Sequence, residues 1–191
     1  MIELYKGVIM IIGIIVVVIV VFLGIWIISA KNRIMTEEQN VFTELNNAKL
    51  VVDRRFKNIE ATANLMKSHN VQITSAYEKV VAMRSGANQS NPEDYAAIDK
   101  ELQNVAKSIN INVERYPELG KLFDVDKFQV SMAQHDRDVE SAKKLYNHEV
   151  EQFNTLILTI PYSLVAKNKS QHVYWEVVDS QVKDDYIPTF D

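Results

Sequence analysis

The sequence predicts an all-α protein, with an N-terminal transmembrane helix running into a long antiparallel helical bundle. Three observations carry this. Gly7 to Ala30 are 24 consecutive positions without a charge, dominated by Val and Ile. From Ile25 to Ser85 the chain contains no Gly and no Pro. Behind the anchor, apolar residues recur at steps of three and four, as one face of a helix requires. No strand pattern of useful length competes, since Gln171 to Val178 alternates only imperfectly.

The anchor comes first. At about 1.5 Å rise per residue, Val8 to Ile28 cover about 31 Å, close to the hydrocarbon thickness of a bilayer. A cleaved signal peptide has a shorter apolar core and a small-x-small site, whereas Ile27-Ile28-Ser29-Ala30 leads straight into Lys31-Asn32-Arg33. A buried core helix is disfavoured by the lack of a second segment apolar enough to surround it. Flanking Lys and Arg set orientation. Lys6 precedes the span, Lys31 and Arg33 follow it, and Lys49 lies at the edge of the window. This bias predicts a single-pass protein of the cell membrane or an internal membrane, with its body in the cytoplasm. Gly13 and Gly24, 11 residues apart, are nearly eclipsed around the helix and would let neighbouring anchors approach closely.

Residues 31–170 are expected to form the bundle and residues 171–191 an acidic, aromatic tail. The first bundle helix shows a seam at Val41, Leu45, Ala48, Val52, Phe56, Ile59, Ala63 and Met66. With neither Gly nor Pro at Ser68-His69-Asn70, the pattern predicts a bend there at most, and so a rigid stalk from Val8 to Arg84. Ser85 to Pro92 reads as a loop ending in a cap, with Asn91 as N-cap, Pro92 in the first turn and Glu93-Asp94 facing the positive helix end. The second bundle helix carries Ile98, Leu102, Val105, Ile109 and Val113. It stops near Tyr116-Pro117, because proline lacks an amide donor and pushes the preceding residue out of the helical region. The third is marked by Phe128, Met132, His135, Val139, Ala142, Tyr146, Glu149 and Phe153, and should end before Pro161. Helices with single seams and short connections pack antiparallel, with crossing near 20°.

The chemistry-bearing patterns are weak. His148-Glu149-Val150-Glu151-Gln152 begins like a zinc-protease helix but lacks the second His that the metal site needs. Ser141-Ala142-Lys143-Lys144 matches S-x-x-K, yet lies mid-helix without the partner motif of a serine–lysine enzyme. There is no Cys, hence no disulfide, thiolate metal site or lipoprotein anchor. No Gly-rich phosphate loop is present. The expectation is therefore no catalytic residue, no cofactor and no metal. With a formal charge of −4 and no basic stripe, nucleic acid is not an expected partner.

Polar groups on or beside the seams are the remaining candidates. His135 and Glu149 fall 14 residues apart on the third bundle helix, and Asn147 and Asn154 fall seven apart. This stripe is exposed at a bundle edge, is satisfied by a partner side chain in the core, or faces a second copy or another protein, where buried polar groups fix pairing. Arg54 and Arg55 flank the first seam, where one is expected to pair with an acid on a neighbouring helix. In the tail, Tyr174, Trp175, Tyr186 and Phe190 either pack on the bundle or anchor a partner.

Taken in order, the landmarks resemble the LemA family: an N-terminal span with a short basic stretch, Arg54-Arg55-Phe56, Tyr116-Pro117-Glu118-Leu119, then Tyr146-Asn147, Phe153-Asn154 and Ile160-Pro161. The similarity covers essentially the whole chain. It departs at Lys57-Asn58-Ile59-Glu60, which lacks the proline usual after the Arg-Arg-aromatic triplet, and Phe190-Asp191 matches the family ending only loosely. The resemblance implies a bacterial-type, membrane-anchored antiparallel bundle without established enzymatic activity. The magnetosome protein MamQ looks like a member of the same family, which by analogy implies membrane shaping or compartment organisation. Two functions are expected from this: a self-associating, non-enzymatic scaffold with the lipid bilayer and a second copy as partners, or a monomeric tethered adaptor that recruits a soluble protein through the bundle face or tail.

Overall fold

The computed structural model describes residues 2–68, 75–88, 90–121 and 123–175. Four α-helices and two short 3-10 helices make up its regular structure. They are α1 (Ile2–Ser68), α2 (Ser75–Gly86), α3 (Pro92–Arg115) and α4 (Val125–Leu158), with 3-10 helices at Pro117–Lys121 and Tyr162–Leu164. Among the described residues there is no strand, in keeping with the all-α prediction.

The described residues pack as two compact units, residues up to 43 with 148–172, and residues 44–147 with those from 173 onward. In the first, α1 emerges from its apolar stretch and buries Ala30, Ile34 and Val41 along one face. The end of α4 runs antiparallel to it. Beyond Leu158 the chain turns and returns alongside α1. Tyr162 meets Arg33, Lys169 pairs with Glu38 at 2.5 Å, and the His172 ring lies edge-on to Phe42 with centroids 5.4 Å apart. The turn contains a cis Ile160–Pro161 bond.

The second unit is an up-down-up-down arrangement of helices. Every predicted seam residue of α1 from Leu45 to Met66 is buried, as are Ile98, Leu102, Val105 and Ile109 of α3. On α4, Phe128, Met132, Val139, Ala142 and Tyr146 are buried in the same way. The expected cap of α3 is present. Asn91 accepts from the Glu93 amide at 3.2 Å, Pro92 opens the helix, and Tyr116 closes it.

The stalk prediction needs correction. The continuous helix from the anchor ends at Ser68, and α2 packs back along α1 in the opposite direction. Tyr77 Oη donates to Glu60 at 3.3 Å, Arg84 pairs with Asp53 at 2.9 Å, and Arg84 also lies over the Phe56 ring. Contacts between residues 17 and 31 positions apart cannot form along one straight helix, where those separations span about 25 and 46 Å. Packing back along α1 leaves Val80 fully buried, and the sequence signal for the turn is weak, since Ser68-His69-Asn70 are only modest helix formers.

Candidate functional site

The largest exposed apolar surface is the first part of α1. Its most hydrophobic 18-residue window has a mean hydropathy of 3.6 and none of it is buried. Val8 and Ile28 are exposed, and a Cβ added at Gly13 or Gly24 would meet nothing within 4 Å. A core helix of a water-soluble domain hides its apolar face. This one displays all faces, so α1 is long enough and apolar enough to cross a membrane.

Within the second unit the chemistry gathers around Arg55, which is 1% exposed. Its guanidinium donates to Asp99 of α3 at 2.8 Å and to Asp136 of α4 at 2.5 Å, so one side chain ties three helices. Asp99 also accepts from Gln103 at 3.2 Å. Burial pushes the Asp99 carboxyl above the ordinary carboxylate range, with Arg55 opposing that rise. One turn along α1, Asn58 donates to Ser131 at 2.7 Å and approaches His135 Nε2 at 3.5 Å. Burial first, and then Arg55, hold the His135 ring below its usual pKa. A buried arginine shared by two carboxylates fixes register well, because leaving any of these charges unpaired is costly. Sequence reading singled out Arg55 and His135 but missed Asp99 and Asp136. The available signal was Asp99 beside the seam residue Ile98, a charge where the helix turns inward.

The asparagines of α4 find their partners within the chain, on backbone rather than side-chain groups. In the second unit, Asn147 donates to the Trp175 carbonyl at 3.1 Å and accepts from the Trp175 amide at 2.8 Å. In the first unit, Asn154 makes the same pair with His172, donating at 2.9 Å and accepting at 2.8 Å. Each side-chain amide thus pairs with both the N–H and the C=O of one backbone residue, as a neighbouring strand would. Tyr146 Oη adds a bond to the Val173 carbonyl at 2.8 Å, and burial pushes its pKa up to about 12. Trp175 is buried edge-on to Tyr146, while Tyr174 is exposed. The seven-residue spacing of Asn147 and Asn154 is therefore used inside the chain. Glu149 is half-exposed. Tyr186 and Phe190 lie outside the described residues.

A shallow cavity of about 420 Å³ lies in the first unit, lined by residues that include Arg33, Glu37, His148, Glu151 and Tyr162. The His148 ring lies 3.2 Å from the Gln152 amide, the residue that stands where a second metal-binding His would be. Among the described residues no group of three His, Asp or Glu side chains is arranged to hold a metal ion. Lys144 is paired with Glu140 at 2.6 Å.

Comparison with known proteins gives one family. The model described as "LemA family" matches residues 44–186, most of the chain. No curated protein matches it.

Proposed function

We infer, for a chain that belongs to the LemA family, that it is a single-pass membrane protein holding a non-enzymatic helical bundle against the bilayer as a structural scaffold. The observation that carries this reading is α1 itself. The same helix that exposes apolar residues on every side from Val8 to Ile28 becomes a one-sided bundle helix from Ala30 onward. A helix of this kind couples anchor to bundle without a linker.

Self-association belongs to the proposal, with membrane shaping or compartment organisation as its outcome. The open surface at Gly13 and Gly24 supports it, because small residues let helices approach closely in lipid. The mass of the full-length protein in detergent, by light scattering, tests it. A discrete oligomer that Gly13→Ile and Gly24→Ile dissociate is the expected result, and a monomer would overturn self-association.

A monomer would favour the second reading, a tethered adaptor. Its support is the fixed start of the tail. Asn147 holds the backbone of Trp175, directly before the acidic residues 176–191, which include Tyr186 and Phe190. Removing residues 176–191 should then abolish capture of a soluble partner. Orientation, proposed as cytoplasmic from Lys31 and Arg33, is tested by protease treatment of intact cells.

A further inference from the structure

Outside the anchor, and among the described residues, a cluster of strongly exposed large aliphatic residues lies at the end of α4. Leu158 is 65% exposed, Ile160 76% and Leu164 61%, all within seven residues. Exposed aliphatic residues are ordinary when scattered, but a cluster at one tip marks a surface that meets something apolar.

Where that tip sits follows from contacts inside the first unit. Tyr162 lies in its middle, and its hydroxyl accepts from the Arg33 guanidinium at 3.1 Å, with the guanidinium also 5.3 Å from the ring centre. Arg33 is five residues past Ile28, about 7.5 Å of helix. Ala30, closer still to the apolar stretch, is already 2% exposed, and within this unit only residues 148–172 lie outside α1 to cover it. The polar layer of a bilayer is about 5–8 Å thick on each side, so the tip reaches the depth of the headgroups and the outer acyl chains. Its chemistry suits that depth. Tyr162 is an aromatic residue with a polar end, Arg33 supplies a cation at its level, and Lys31 lies two residues nearer the apolar stretch along α1.

We propose that the α4 tip, Leu158 to Leu164, is a second membrane-contacting element that inserts Leu158, Ile160 and Leu164 into the bilayer interface beside the point where α1 leaves it. The occupant is lipid because Tyr162, flanked by these exposed residues, is held against Arg33, only five residues beyond the end of the apolar stretch. This rests on the reading of Val8–Ile28 as a spanning segment. A helix entering a bilayer at one point can pivot and spin. A second contact fixes its tilt and rotation, and with them the orientation of the residues nearest the membrane.

The chain has no Cys, so single-cysteine variants of the full-length protein report one site each. Ile160→Cys and Leu164→Cys, both at exposed positions, are labelled with an environment-sensitive fluorophore and reconstituted into vesicles of mixed zwitterionic and anionic lipid. Val17→Cys serves as the mid-anchor control and Glu140→Cys as the solvent control. The expected result is a blue shift and loss of emission with nitroxides placed high on the acyl chain for labels at 160 and 164. The Val17 label should respond to nitroxides placed deep, and the Glu140 label to aqueous iodide only. Lipid contact at Val17 with iodide access at 160 and 164 would overturn the tip insertion and leave the anchor standing. Labels at 160 and 164 shielded from both quenchers would also overturn it, showing that a second copy or another protein covers the tip. A Val17 label open to iodide would remove the spanning segment and the tip contact with it.

Discussion

Arg55 concentrates risk in a single side chain. Arg55→Ala leaves Asp99 buried without its cation, and breaking a buried pair from one side costs about 3–5 kcal/mol. Because Asp136 is 55% exposed and Asp99 can take up a proton, a loss near the lower end, about 3 kcal/mol, is expected from urea titration in detergent. Arg55→Leu combined with Asp99→Leu should recover much of it, since an apolar replacement strands no charge. A pH effect belongs to this scale too. Burial holds both His135 and His172 below the ordinary histidine value of 6.5, so the unfolded chain binds protons more readily than the fold in the window just below it. Stability is then full above that value and declines as the pH falls through the window. His172 packs 4.9 Å from the Phe153 ring centre as well as against Phe42. His172→Phe should keep the ring packing and reduce the loss of thermal stability between pH 7.5 and 5.5; an unchanged loss would place the titration elsewhere.

At the scale of elements, helices were legible because their seams repeat. Val41 to Met66, Ile98 to Ile109 and Phe128 to Phe153 carry a 3.6-residue period, and the cap at Asn91-Pro92 is a local signal that needs no tertiary partner. The end of α1 at Ser68 was not legible from Gly or Pro, and only the contacts of Tyr77 and Arg84 reveal the reversal. Spin labels at Asp53→Cys and Arg84→Cys should lie within about 20 Å of each other, against about 46 Å along a continuous helix. The segment that follows the α4 tip is held by side-chain amides in place of a strand. Asn147→Ala should unpair the Trp175 amide and carbonyl, costing about 1–3 kcal/mol locally. Hydrogen exchange at Trp175 would accelerate, and in a Trp26→Phe background its fluorescence would shift to the red as the buried ring gains water. Asn154→Ala should do the same to the His172 amide. Sequence spacing placed these asparagines on one face. It could not say that the face is occupied by the chain's own backbone.

For the molecule as a whole, location is proposed to rest on the apolar first part of α1, which is long enough to cross a membrane. Val18→Arg with Val21→Arg puts two charges near the middle of the apolar stretch, at about 2.5–3.5 kcal/mol each on insertion scales. The wild-type chain should remain in the membrane fraction after alkaline extraction, and the variant should leave it; retention of the variant would mean that α1 does not hold the protein there. The sequence by itself determined the all-α class, the apolar helix, the seams and the LemA pattern, because each depends on composition or on periodicity along one helix. Only the tertiary structure decided which charges meet at Arg55, where α1 gives way to α2, what Asn147 and Asn154 bind, and that Tyr162, between Leu158 and Leu164, meets Arg33. Each of those depends on residues far apart in the chain, and on which helix face turns toward which neighbour.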